Sequence, residues 1–408
     1  MAGVSVVVRR SRRRWGAVAL GVAFLLALPT ATSSTLAWAA SRSRSTEATA
    51  VLVQRVLASD ARPYSGLAEI RGGLSLPDLP RLGDLVARLG GTTRARVWWA
   101  GPTSWRVAQL SLTGEQATYR SGDRLVQWDY EQSRLTDVVT LPTGQAGGAG
   151  SGAGGSGTSG AASIRLPRTD DLLPPQAARR LLAAVGPGDR VDPLPGARLV
   201  AGVAAQGLRV VPGDPRSTIG HVDVWVDPGS GIPVQLTVVD RHGATALTSA
   251  FLDLSQAPPP AQDVAIPPAP GTVHDSTTTP DLASRIQQVG PWQLPPTLAG
   301  LPASSPVVGG TATYGSGLTR FIVLPLSGRL SGAVFGAAHD GGAGAVKLAR
   351  GDGLSITSGM LSLVVARGTD GEPGDPQHAY LITGLVSASV LADAAQQLLS
   401  HPPPRRSA

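Results

Sequence analysis

The chain has 408 residues, 35 Lys and Arg against 28 Asp and Glu for a net charge of +7, and no cysteine. That length suits two or three domains at roughly 150 residues each, and the missing cysteine excludes disulfides, thiolate metal sites, a cysteine nucleophile and acylation of a leader cysteine. Five of the seven excess positive charges belong to residues 1–40, which hold no acid, so the overall charge is not the footprint of a nucleic-acid binder and no nucleic-acid partner is expected.

Residues 1–40 read as a leader. Arg9, Arg10, Arg12, Arg13 and Arg14 form a basic start, Trp15 to Leu28 is almost wholly apolar, and small residues follow up to Ala39-Ala40. This is the layout of a secretory signal peptide. The run from Trp15 to Ala40 has no charged residue and is also long enough for an N-terminal membrane anchor, with the arginines kept inside. Both readings expect residues 41–408 outside the cytoplasmic membrane, in the cell envelope.

A helix is predicted over 46–59, with Val51, Val53, Val56 and Leu57 on or near one face. Short strands follow at 64–71, 93–100, 105–112, 116–120, 125–130 and 134–141, with turn residues between them, which is the pattern of an antiparallel meander. In 93–100, Ala95, Val97 and Trp99 alternate with Arg94, Arg96 and Trp98, so the two sets face opposite sides of the sheet. Residues 74–89 interrupt the meander as an amphipathic helical insertion. Residues 144–163 are nearly all Gly, Ser, Ala and Thr, and read as a flexible loop. The formal GxGxxG at 152–157 lacks the strand–turn–helix setting that a dinucleotide site needs.

A second helix is predicted over 170–185, with Pro174 and Pro175 in its first turn. Strands resume at 196–211, 220–227, 233–240 and 244–252 and complete one sheet with the first set. Residues 257–306 form a Pro-rich linker. A smaller unit at 307–400 carries strands at 318–326, 344–349, 354–356, 361–367 and 378–386 and a closing helix at 389–399. Residues 401–408 read as a disordered tail.

Catalytic and metal patterns are missing. The six histidines have no partner at metal-ligand spacing, and neither a GxSxG elbow nor a P-loop occurs. Asp170-Asp171 suits the start of a helix, where acids favour the dipole. The chain is expected to be no enzyme and to need no cofactor or metal. The tryptophans stand out instead. Trp98, Trp99, Trp105, Trp128 and Trp225 all fall in the first predicted sheet. They either pack a core and cross-strand pairs or line an apolar ligand cavity inside a curved sheet. On the cavity reading the candidate lining is Tyr64, Val97, Trp99, Trp105 and Trp128. Trp98 shares a face with Arg94 and Arg96, where it could stack on an arginine or meet a surface partner.

The succession of a helix, Tyr64-Ser65-Gly66, Val97-Trp98-Trp99, Trp105-Arg106-Val107 and Trp128-Asp129 resembles the lipoprotein-carrier superfamily of LolA, LolB and RseB over about 46–255. Tyr314-Gly315-Ser316-Gly317-Leu318, and 381–386 followed by the last helix, resemble the small C-terminal domain of the MucB/RseB branch. Serine at 316 departs from the acid usual there, and the insertions at 74–89 and 144–163 depart too. The resemblance implies an α+β fold: a curved antiparallel half-barrel wrapping helices over 41–256, then a small α+β domain at 307–400. It implies a regulator that senses envelope lipid or lipoprotein and binds the outer portion of a membrane anti-sigma factor. The alternatives are a lipid or lipoprotein carrier of the LolA kind and an envelope scaffold whose tryptophans only fill the core.

Overall fold

A computed structural model describes residues 44–72, 91–111, 114–140, 169–267, 273–279, 294–304, 311–326, 328–368 and 378–401. The leader, the 74–89 insertion, the Gly/Ser-rich stretch 144–163 and Trp292 lie outside the described residues.

Helix α1 (Arg44–Ala58) leads through a short 3-10 turn (Ser59–Ala61) into the meander. That meander comprises β1 (Tyr64–Gly72), β2 (Thr92–Gly101), β3 (Ser104–Leu110), β4 (Glu115–Ser121), β5 (Arg124–Asp129) and β6 (Arg134–Thr140). After α2 (Pro174–Ala183) come β7 (Arg190–Val200), β8 (Val203–Val211), β9 (Ile219–Val226), β10 (Pro233–Asp240) and β11 (Thr245–Ser255). A one-turn helix α3 (Ala261–Val264) and β12 (Val273–Thr279) finish this part. The strands form one twelve-stranded sheet in the order β12-β6-β5-β4-β3-β2-β1-β11-β10-β9-β8-β7. All neighbours are antiparallel except β12 on β6. The end strands do not pair, so the sheet stays open as a half-barrel.

Strand alternation gives this sheet an inner face, and both helices lie against it. Leu52, Val53 and Val56 of α1 and Ala177, Ala178 and Leu182 of α2 pack with Ile70, Val222, Val224, Leu236 and Val238. Apolar residues at helical spacing meet apolar residues at period two, and burying them is the main stabilising term. At Gly66 the main chain of β11 comes so close that a Cβ would lie 2.3 Å from the Asp253 carbonyl oxygen, beside a bulge in the β1–β11 pairing. The glycine of Tyr64-Ser65-Gly66 is therefore required by backbone approach.

A second sheet holds β15 (Ala312–Ser316), β16 (Thr319–Leu326), β17 (Gly344–Leu348), β18 (Gly351–Ser358), β19 (Leu361–Arg367) and β20 (Ala379–Gly384). Its order is β15-β16-β20-β19-β18-β17. Helix α4 (Gly328–Asp340) follows β16, and α5 (Ala388–Ser400) ends the described chain apart from His401. Val390, Leu391, Ala394 and Leu398 of α5 pack on Tyr314, Phe321 and Ile382. Val334 and Ala338 of α4 pack on Leu324, Val365 and Leu381. The sheet is thus covered by a helix on each face.

Main chain joins the two sheets. Ser217, between β8 and β9, forms a β-bridge with Val386. The Thr218 N–H donates to the Leu385 carbonyl at 3.0 Å, and the Ser387 N–H to the Arg216 carbonyl at 3.0 Å. The Ser217 hydroxyl donates to the Leu318 carbonyl at 3.3 Å, and the Thr218 hydroxyl donates to that of Met360. Leu318, Met360, Leu361 and Leu385 share the core cluster of Ile219 and Val222. Arg216, held by Asp214 at 2.7 Å, donates to the Ala299 carbonyl at 3.2 Å. Residues 214–218 therefore clamp one sheet to the other.

Several expected elements take other forms. The strand expected at 196–211 is a hairpin, because Ala201 (φ 48°) and Gly202 (φ 79°) turn the chain between β7 and β8. The helix expected from 170 begins at Pro174; Thr169–Leu172 is a 3-10 turn, since two successive prolines are tolerated only in a helix's first turn. Asp171 is accordingly no dipole residue: it is buried and paired with Arg180. The stretch 257–306 carries α3 and β12, and the short pair β13 (Thr297–Leu298) and β14 (Leu301–Pro302). Helix α4 stands where no element is expected. Among the described residues, no helix is long and apolar enough to cross a membrane.

Candidate ligand-binding site

Four of the five candidate residues come together on the inner face. In the register Tyr64 lies opposite Trp99, and Trp99 opposite Trp105. The rings form a column: Tyr64 and Trp99 stack at 6.0 Å and 11°, and Trp99 and Trp105 at 5.8 Å and 9°. Phe251 meets Tyr64 edge-on at 5.8 Å. Both are favoured aromatic geometries. Val97 belongs to the same cluster, with Ala95, Val107, Leu125, Leu173 and Phe251. All four candidate residues are buried, Trp99 to within 5 % of full cover.

Polar groups close the column at its edges. The Gln176 amide of α2 donates to the Tyr64 hydroxyl at 2.9 Å. Burial pushes the Tyr64 phenol well above its ordinary pKa, so it stays a neutral hydrogen-bonding group. The Trp99 indole N–H donates to the Asp60 carbonyl at 2.8 Å. Arg179, one helical turn beyond Gln176, pairs with Asp60 at 2.5 Å and lies 5.8 Å from the centre of the Trp99 ring. Helix α2 and the turn after α1 thus cover the aromatic rings through groups that also satisfy their polar atoms.

Trp128 is not part of this column. Trp105 pairs with Arg120 and Arg120 with Leu125, whereas Trp128 pairs with Ala117 and Leu135. Period-two alternation therefore places Trp128 on the outer face. There it packs with Ala108, Ala117, Tyr119, Val126 and Leu135, and with Trp98 and Ile266 at the margin. Trp98 does stack on an arginine, but on Arg106 of β3 at 4.5 Å, not on Arg94 or Arg96. Arg106 also pairs with Glu115 at 2.6 Å.

The sequence reading missed Gln176, Arg179, Asp60 and Phe251. The first two sit three residues apart on α2 beside its apolar stripe, and no local pattern connects them with β1 or β2. Chemically the site is a packed aromatic and aliphatic interior with a few hydrogen-bonding groups at its rim. Among the described residues, no group of His, Asp and Glu could hold a metal.

No protein-family model matches the chain, and no curated protein matches it. Solved structures do. The chain is similar to the MucA/MucB complex structure of Pseudomonas aeruginosa at 17% identity and a TM-score of 0.46, over 89% of this chain and 100% of that one. It is similar to a LolA superfamily protein of Nitrosomonas europaea at 12% identity and a TM-score of 0.22, over 53% and 97%. LprF of Mycobacterium bovis matches at 11% identity and a TM-score of 0.30, over 56% and 100%. The likeness is to MucB and LolA-superfamily structures, the groups that the sequence motifs resemble.

Proposed function

We propose that this protein is a non-enzymatic, exported regulator of the cell envelope, of the MucB/RseB kind. It binds the extracytoplasmic portion of a membrane anti-sigma factor and responds to acyl lipid or lipoprotein. The observation that carries this reading is the joint between the two sheets, where residues 214–218 hydrogen-bond to 385–387 and share a core with Leu318 and Met360. A carrier needs only the half-barrel. A second sheet fixed to it by main chain adds a protein-binding surface in constant relation to the apolar interior, and coupling two ligands is what a sensor requires.

The test uses the exported portion, residues 41–408, and the exported segment of a single-span anti-sigma factor from the same genome. The segment should bind and be shielded from proteolysis, and a lysophospholipid or an acylated peptide should reverse both. If the segment does not bind while native mass spectrometry finds acyl lipid that passes between vesicles, the carrier reading replaces the regulator. The aromatic column under α2 is the feature that second reading rests on, because it is an apolar interior on the inner face of the half-barrel.

A further inference from the structure

Partly buried arginines in this chain come with carboxylates. Among the described residues, each of them except Arg320 forms an ion pair, as Arg179 does with Asp60, Arg180 with Asp171 and Arg216 with Asp214. Arg320, in β16, is also partly buried. Its Nε is buried without a hydrogen-bond partner, and its guanidinium forms no ion pair among the described residues. Burial disfavours the charged form of this group, and the nearby Asp189 offsets that only in part. Arginine stays charged regardless. The fold therefore keeps a half-desolvated cation with no partner, an arrangement that costs stability.

Arg320 stands at the joint between the two sheets. Its carbonyl accepts the Leu385 N–H at 2.8 Å, and the Leu385 carbonyl accepts the Thr218 N–H at 3.0 Å. The turn before Arg320 packs on the loop 186–189 that follows α2: a Cβ on Gly186 would lie 3.2 Å from the Gly317 Cα. Asp189 of that loop is the acid whose charge reaches Arg320. Its two carboxylate oxygens, however, accept the Gly186 N–H at 2.8 Å and the Gly213 N–H at 3.0 Å. Asp189 is thus committed to main chain. The guanidinium is left with unused donors beside residues of both halves of the joint.

We infer that Arg320 is an oxyanion-binding residue that takes one carboxylate, from an acidic side chain of the protein segment bound at the joint. A planar guanidinium with unused N–H groups matches a carboxylate through two parallel hydrogen bonds. The charge of Asp189 opposes a second negative charge in the same place, which favours a singly charged carboxylate over a phosphate dianion. In the free chain the unpaired cation is a standing cost, and a partner carboxylate relieves it. The choice of partner rests on the regulator proposed above; the carboxylate site itself does not.

The full chain carrying Arg320→Gln should fold at least as stably as the parent, because the unpaired cation is gone. A marked loss of stability would mean that Arg320 is satisfied within the fold, and overturns the site. Thermal unfolding is then compared in sodium acetate, sodium phosphate and sodium chloride of equal ionic strength. Acetate should raise the midpoint of the parent above its value in chloride, and the part of that rise lost in Arg320→Gln reports the site. No such part overturns the site, and a larger part in phosphate than in acetate overturns the carboxylate. With the exported anti-sigma segment as probe, Arg320→Gln should weaken binding about tenfold or more, and Arg320→Lys should weaken it less. Neutralising one acid of the segment should cause the same loss, with no further loss when both partners are changed. Equal binding of the segment to the parent and to Arg320→Gln overturns the partner assignment. A segment that binds neither overturns the regulator and the partner together, and the acetate comparison then decides the site alone.

Discussion

The inner face of β1–β3 and the outer face of β2–β5 each carry an aromatic cluster, and they are solved differently. On the inner face the rings of Tyr64, Trp99 and Trp105 stack in a column, and the polar atoms of Tyr64 and Trp99 find partners in Gln176 and the Asp60 carbonyl. On the outer face, Arg106 lies over the Trp98 and Tyr119 rings, Trp128 packs in the cluster with Tyr119, and the buried Trp128 indole N–H has no partner among the described residues. The inner rings are cross-strand neighbours covered by helices, whereas the outer rings meet the α3 segment and Ile266. Tryptophan content alone does not mark a ligand site. The face that register assigns, and whether the polar handle is satisfied, distinguish the two.

Trp99→Ala should have the largest effect. It removes the middle ring of the column and leaves the Asp60 carbonyl without its donor. The expected loss is about 3–5 kcal/mol of folding stability, read from denaturant unfolding. If the column is instead held mainly for a ligand, stability will drop by much less while lipid retention disappears. That result would move Trp99 from core to site. Tyr64→Phe should cost about 1–1.5 kcal/mol, because the ring stays and the buried Gln176 amide loses its partner. A double change, Tyr64→Phe with Gln176→Leu, should recover part of that loss if the hydrogen bond is the cause.

These inner-face residues were largely legible in sequence. Val97 and Trp99 alternate with Arg96 and Trp98, and that alternation is local. Trp128 was not legible, because its face depends on register carried through two further hairpins. Trp105 pairs with Arg120 while Trp128 pairs with Ala117, three residues away, and an odd separation reverses the side. The β7–β8 turn was hidden for another reason: Ala201 adopts a left-handed conformation that alanine does not advertise. Helix α4 reads as a loop because Gly328, Gly332 and Gly336 recur through it, and its packing on β18 and β19 overrides their low propensity. The joint was invisible because its partners are far apart in the chain. Ser217 meets Leu318 across 101 residues, and no local pattern encodes such a pairing.

The smallest expected effect sharpens the comparison most. Trp128→Phe removes an indole whose N–H is buried and unpaired among the described residues, so the change discards a desolvation cost along with some packing. The two contributions oppose each other, and the net change in unfolding free energy should stay within about 1 kcal/mol. Trp99→Phe makes the same chemical change on the inner face. There the N–H is hydrogen-bonded, so the lost bond adds to the lost packing, and the cost should be about 2 kcal/mol or more. Equal costs for the two substitutions would mean that hydrogen bonding does not distinguish the faces. A larger cost for Trp128→Phe would show that its N–H is satisfied in solution, and that the outer cluster is the more tightly built of the two.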